Sequence, residues 1–205
     1  MFEEIQNLGN QLCSTFELIP TERRELLNRI AISVSDELKV KNEANLIYVC
    51  THNSRRSHFG QIWSAVAAAY FGIENINTFS AGTEATAFHP NAMNALRSQG
   101  FTINALSVSQ NPIYEVDFGG TKSIKCFSKT ITDESLPKAL IAIMTCSDAA
   151  ENCPFVPGAS HRFNTTYDDP KAYDGTNLQQ EKYIERSLQI AREIFYLFYQ
   201  IKNQI

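Results

Sequence analysis

At 205 residues the chain is long enough for one well-packed domain with an appendage and too short for two full catalytic domains. Its 43% hydrophobic and 20% charged residues mark an ordinary globular composition, which excludes a largely disordered chain. A net charge of -4 supplies no basic footprint for nucleic acid, so any anion recognition has to be local to one loop. The chain opens Met1-Phe2-Glu3-Glu4 without a signal-type apolar core, and no apolar run approaches membrane-spanning length. We therefore expect a cytoplasmic protein with no membrane partner. Five cysteines in that compartment point to reduced, reactive or metal-bound thiols rather than structural bridges.

Residues 1–42 read as helical. Phe2, Ile5, Leu8 and Leu12 recur at helical spacing, and after Pro20 and Thr21 a second run carries Leu26, Leu27, Ile30, Ile32, Val34 and Leu38. Cys13, on the first of these, reads as a small core residue. From residue 43 the rhythm changes. Residues 46–49 form a buried-type strand, 59–70 an alanine-rich helix, and 77–80 a second short strand ending in Ser80, Ala81 and Gly82; residues 91–98 form another helix, stopped by Gly100. Strand alternating with helix argues for a parallel sheet covered on both faces, with reactive loops at the carboxyl ends of the strands. Ile113, Tyr114, Val116 and Phe118 before Gly119 and Gly120, with Ile124, Cys126 and Phe127 after them, predict a β-hairpin. Residues 139–145 form a further apolar strand, the segment to Asn177 reads as loop-rich, and a long amphipathic helix through Tyr183, Leu188, Ile190, Ile194, Leu197 and Ile201 closes the chain.

The chemistry concentrates first in Cys50-Thr51-His52-Asn53-Ser54-Arg55-Arg56-Ser57, at the strand-to-helix junction. Small polar residues let such a loop curl its amides around one tetrahedral anion, and the following helix adds its positive end. Arg56 forks two hydrogen bonds onto the anion, the positive field favours the nucleophilic thiolate of Cys50, and Ser57 can bond the sulfur and cap the helix. The plain alternative is a buried cysteine closing a core strand before a basic helix start. Cys146 also follows a strand end, and Cys153 comes seven residues later, next to Pro154. In a regular helix that spacing is roughly 10 Å along the axis, beyond the 7 Å or so that a disulfide spans between Cα atoms. A bond between the two requires the segment to loop or unwind, which Asp148, Asn152 and the breaker Pro154 favour. A metal site from Cys126, Cys146, Cys153 and His161 is the alternative, but no pair has the short spacing of zinc ligands. We prefer a redox relay and expect no metal and no cofactor. Finally, Asp168-Asp169-Pro170 places a carboxylate on restricted backbone before proline, suited to a general acid.

These pieces, in this order, resemble the thioredoxin-coupled arsenate reductases. The resemblance covers residues 44 to about 200 and rests on the Cys50–Ser57 loop, Ser80-Ala81-Gly82, Cys146-Ser147-Asp148-Ala149 with Cys153-Pro154, and Asp168-Asp169-Pro170. It implies the fold of low-molecular-weight protein tyrosine phosphatases, a four-stranded parallel sheet flanked by helices, with residues 43–205 as the catalytic domain. Residues 1–42 are then an N-terminal helical extension, and 105–138 an insertion holding the hairpin, with Cys126 structural. The resemblance further implies that Cys50 attacks arsenate held by Arg56 and the loop (Thr51, His52, Asn53, Ser54, Arg55, Ser57). Asp169 protonates the leaving oxygen, and Cys146 then Cys153 carry the oxidation outward to thioredoxin. Asn53 would hold the loop's shape and Ser57 would stabilise the thiolate.

Three positions depart from the pattern. His52 stands where the family has glycine and is read as pointing outward; a histidine there also occurs in a branch that uses a thiol cofactor and needs only Cys50. Arg55 replaces a cysteine or small residue and is expected to add positive charge near the anion. Gln61 replaces an acidic ligand of a monovalent cation, so no such site is expected. The main rival is a phosphatase acting on phosphotyrosine or small phosphate esters through a cysteinyl-phosphate, for which Cys50, Arg56 and Asp169 suffice and Tyr167 or Tyr173 would supply an aromatic wall. A non-catalytic sensor that binds partners through its N-terminal helices is a third reading, disfavoured by the intact Cys-Arg-Asp set.

Overall fold

The apolar run Leu46-Ile47-Tyr48-Val49 has no polar face, and it forms the middle of a strand, β1 (Ala44–Cys50), that is covered on both sides. In the computed structural model, which describes residues 1–120, 123–153 and 155–205, β1 pairs in parallel with β2 (Ile76–Gly82) and β6 (Leu140–Met144). Strand β6 in turn pairs in parallel with β7 (Ala159–Asn164), giving one four-stranded sheet in the order β2-β1-β6-β7. The predicted fold class, a parallel sheet flanked by helices, is therefore found. Pro154, read above as a breaker, lies outside the described residues.

Side chains alternate across β1 as the pleat requires. Leu46 and Tyr48 enter a large core with α3 (Arg56–Phe71), α4 (Pro90–Arg97) and α6 (Gln179–Lys202). Ile47 and Val49 enter a smaller apolar cluster with Ala81, Leu140, Ala142, Met144 and Val156, covered by the short helix α5 (Ser147–Asn152). Helices α1 (Glu3–Cys13) and α2 (Thr21–Lys41) bury Ile5, Leu12, Leu27, Ile30 and Val34 in the same large core as Ile194, Phe195 and Phe198 of α6. Gly9 makes this approach possible, because a Cβ there would meet the Tyr70 ring at 2.8 Å and the Phe195 ring at 2.9 Å. Among the described residues no helix is long and apolar enough to cross a membrane.

Two strands depart from the sequence reading. Strand β7 lies in the segment read as loop; it is an edge strand with no buried residue, and Ser160, His161 and Arg162 break the apolar pattern that marked its neighbours. The predicted hairpin is present as β4 (Tyr114–Asp117) and β5 (Ser123–Cys126), but a third antiparallel strand, β3 (Thr102–Ala105), pairs with β4. Only Ile103 of its four residues is buried, too little for a period to register. The Phe2 amide donates to the carbonyl of Phe118 at 2.8 Å, tying the chain's start to this small sheet.

Candidate active site

Cys50 is the last residue of β1, and the loop that follows ends in the first turn of α3. Its Sγ lies 3.1 Å from Ser57 Oγ. That oxygen also accepts from Asn53 Nδ2 at 2.8 Å, so the Ser57 proton is left to point at the sulfur. Asn53 takes the left-handed conformation at φ 44°, which asparagine tolerates better than most residues, and its Oδ1 accepts from the Lys129 amide at 2.8 Å. The loop also lies against the end of β2: a Cβ on Gly82 would meet the Thr51 carbonyl at 2.5 Å and the Asn53 nitrogen at 2.7 Å. Ser54 is held by its Oγ on the Ala87 carbonyl at 2.7 Å and by its own carbonyl, which accepts from the His89 amide at 2.9 Å.

Arg56 is almost buried. It donates from one terminal nitrogen to the Tyr167 carbonyl at 2.8 Å and from the other to Asp169 Oδ2 at 2.5 Å. Its Nε is buried without a hydrogen-bond partner. Of the two adjacent acids it is Asp169 that faces the loop, fixed also by the Lys171 amide at 3.0 Å; Asp168 points outward to Arg186.

Thr51 links the Cys50 loop to Cys146. Its Oγ1 donates to Asp148 Oδ2 at 2.7 Å and lies 3.4 Å from Cys146 Sγ. Bonds from Thr51 and Asn152 hold the Asp148 carboxyl below the usual carboxylate range. Cys146 caps α5, with the Ala149 amide 3.3 Å from its sulfur, and Cys153 closes the other end of that helix. All three cysteines are free thiols, and Cys50, Cys146 and Cys153 belong to the same small apolar cluster. Burial pushes the Cys153 thiol up, against the opposing charge of Arg162. Cys126 lies apart in the large core, its thiol pushed up to about 12 by burial. Among the described residues no three His, Cys, Asp or Glu side chains are placed to share a metal ion.

The remaining positions sort by partner. His52 points outward, half-exposed, with Nε2 3.7 Å from Glu84. Gln61 accepts from Ser80 Oγ at 2.7 Å. The side chain of Arg55 is engaged by residues outside the loop. Its Nε donates to Tyr183 Oη at 2.6 Å and a terminal nitrogen donates to Asp174 Oδ2 at 3.0 Å. Tyr167 supplies no aromatic wall, because its hydroxyl is buried on Glu193 Oε2 at 2.8 Å, while its ring lies under Arg23 of α2. Tyr173 is exposed, beside Lys182. Sequence reasoning did not foresee the contact of Asp148 with Thr51 or those of Asp174 and Tyr183 with Arg55, which join distant parts of the chain.

Behind the loop sits a fully buried histidine. His58 stacks on Phe88 at 4.2 Å, with Nδ1 3.2 Å from Ser80 Oγ. Burial first, and then the charge of Lys129, push its pKa down to about 3 against a backbone bond at Asn53. Below the ordinary histidine value of 6.5 the unfolded chain takes up a proton that the folded chain refuses, so stability falls as pH drops from there toward 3. The expected loss from this residue is about 1.4 kcal/mol per pH unit. Urea unfolding between pH 6.5 and 4.5 should show that slope, and His58→Gln should flatten it by one proton's worth.

The chain is 30% identical over 145 residues to an arsenate reductase of Bacillus subtilis, covering 70% of this chain and 87% of that one. The chain belongs to the arsenate reductase family. A second member, from Halalkalibacterium halodurans, is 30% identical over 136 residues, covering 66% of this chain and 81% of its own. No protein-family model matches the chain. Among solved structures, a low-molecular-weight phosphotyrosine phosphatase from Vibrio cholerae O395 superposes with a TM-score of 0.53 at 15% identity, covering 75% of this chain and 94% of its own. A low-molecular-weight protein tyrosine phosphatase from Bacillus subtilis gives 0.51 at 18% identity, covering 78% and 97%. These likenesses establish the fold, which this family member shares with the low-molecular-weight phosphatases.

Proposed function

We propose that the protein reduces arsenate to arsenite through a relay of Cys50, Cys146 and Cys153, with a thioredoxin-type dithiol protein as electron donor. Cys50 attacks arsenic, and one arsenate oxygen leaves as water after taking a proton from Asp169. Arg56 and the loop amides hold the remaining oxygens. Cys146 attacks the Cys50 sulfur; the sulfur–arsenic bond breaks, its electron pair stays on arsenic, and arsenite departs from a Cys50–Cys146 disulfide. Cys153 then attacks Cys146, expelling the Cys50 thiolate and leaving a Cys146–Cys153 disulfide for the donor to reduce.

The observation that carries this reading is the contact of Thr51 with Cys146 Sγ at 3.4 Å, together with the membership of all three sulfurs in one apolar cluster. A phosphatase needs only Cys50, Arg56 and Asp169, and would use two further thiols on the nucleophile's side of the sheet merely to protect the nucleophile from oxidation. The last exchange does require α5 to open, since its two flanking cysteines stand about 10 Å apart along a folded helix. The test is NADPH consumption by the purified protein with arsenate, thioredoxin and thioredoxin reductase. Sustained consumption above the arsenate-free blank supports the relay. No consumption, with the donor system active on a control disulfide, sinks thioredoxin coupling and favours phosphate-ester hydrolysis or another thiol donor.

A further inference from the structure

Arg55 and Arg56 are adjacent in the loop, yet each holds a different end of the same segment. Arg56 grips Asp169, the residue that caps the short 3-10 turn Pro170–Tyr173, and Arg55 grips Asp174, the residue that ends it. Around Asp174 the contacts are dense. Tyr183 of α6 donates to its Oδ1 at 2.7 Å, Asn91 of α4 donates to the same oxygen at 3.1 Å, and His89 Nε2 stands 3.9 Å from Oδ2. Tyr183 Oη in turn accepts from Arg55 Nε, so its donor and acceptor capacities are both used. Burial opposes the charge on Asp174, but the bonds from Tyr183 and Asn91 and the neighbouring Arg55 outweigh it and keep its carboxyl below the usual carboxylate range.

The two attachments respond differently to a bound oxyanion. An anion seated on Arg56 competes with Asp169 for the same guanidinium and favours the protonated carboxyl that the acid role needs, so the ionic part of the Arg56–Asp169 attachment is lost when the site is occupied. A segment fastened only through Asp169 would therefore be held most weakly at the moment its carboxyl has to deliver a proton. The Arg55–Asp174 attachment carries no such conflict, because its arginine is committed to Tyr183 and Asp174. We propose that Arg55 and Asp174 are positioning residues that keep Asp169 against the nucleophile loop while an oxyanion occupies it. This rests on the role given above to Asp169, and it assigns Arg55 to the acid rather than to the anion.

The test uses Asp174→Asn, which keeps size and removes charge, with Tyr183→Phe as a second, milder variant and Asp169→Asn as reference. Asp174→Asn should slow arsenate turnover by about tenfold through kcat, with KM and the Kd for inorganic phosphate, measured by calorimetry, within twofold of the parent. The double variant Asp169→Asn/Asp174→Asn should be no slower than Asp169→Asn alone, because Asp174 acts through Asp169. In phosphate-saturated protein, amide exchange across residues 167–175 should rise about tenfold in Asp174→Asn and less in Tyr183→Phe. Multiplying effects in the double variant, or exchange equal to the parent's, would overturn the proposal. Full activity in Asp169→Asn removes the acid and the proposal with it. If the parent turns over no arsenate, the functional reading fails separately, and the exchange measurement alone decides whether the attachment holds the segment.

Discussion

Cys153→Ser should release one arsenite per chain and then stop. The first chemical steps need only Cys50, Arg56, Asp169 and Cys146, none of which touches the Cys153 side chain in the hydrogen-bond pattern; the Cys153 thiol bonds the Phe155 carbonyl instead. The variant should therefore react once and remain as a Cys50–Cys146 disulfide, with the nucleophile locked and no thiol left to free it. Steady-state NADPH consumption should fall by about three orders of magnitude, while arsenite measured in a quenched single turnover stays near one equivalent. Peptide mapping should find the peptides of Cys50 and Cys146 joined, where the oxidised parent joins those of Cys146 and Cys153. Continued turnover in the variant would remove the third cysteine from the mechanism. An unchanged rate on a phosphate ester would add nothing against it, since that chemistry uses Cys50 without the relay.

That experiment also bears on α5. Its two ends carry Cys146 and Cys153, the pair the proposed relay would join, and the helix is secured by Arg162 of β7, whose guanidinium donates to the Ala150 carbonyl, and by Asp148, which bridges Thr51 and Asn152. The segment is six residues long and makes few backbone bonds of its own, so opening it sacrifices little helix. This is the low-stability element that a relay across seven positions demands.

The parts legible in the sequence were those whose cause is local. The loop from Cys50 to Ser57 announces itself because strand, polar curl, arginine and helix are consecutive, and β1 and β6 because strands buried on both faces are apolar throughout. What escaped depends on distant pairing. Strand β7 has one neighbour and a mixed face, so its strand character comes from β6 rather than from its own residues. Arg55 looked like an anion ligand because the loop is where it sits; its partners Asp174 and Tyr183 lie 119 and 128 positions away, and no spacing rule reaches that far. Tyr167 suggests a wall beside the acid for the same reason, whereas its hydroxyl is taken by Glu193 of α6, 26 positions on. The single-residue choice between Asp168 and Asp169 was open to backbone reasoning, because the residue before proline is held extended.

Arg56→Lys keeps the charge of the loop and should still lose most of its activity. The guanidinium serves two bonded partners at once, the Tyr167 carbonyl and Asp169, and its third donor, Nε, is buried without a partner. An ammonium is a point charge on a flexible stem and cannot hold that planar fork. If it follows Asp169, the anion loses its bidentate ligand; if it follows the anion, the acid and the Tyr167 carbonyl lose the group that aligns them. We expect kcat/KM for arsenate to fall by about 10²- to 10³-fold, with weaker phosphate binding by calorimetry and a small change in Tm, since the charge that neutralises Asp169 is retained. Arg56→Ala should be no more active and less stable, because it leaves the nearby carboxylate unpaired at a half-buried position. Activity within tenfold of the parent in Arg56→Lys would mean that the loop amides and the N-terminal end of α3 hold the oxyanion by themselves, and that Arg56 serves chiefly to anchor the segment carrying Asp169.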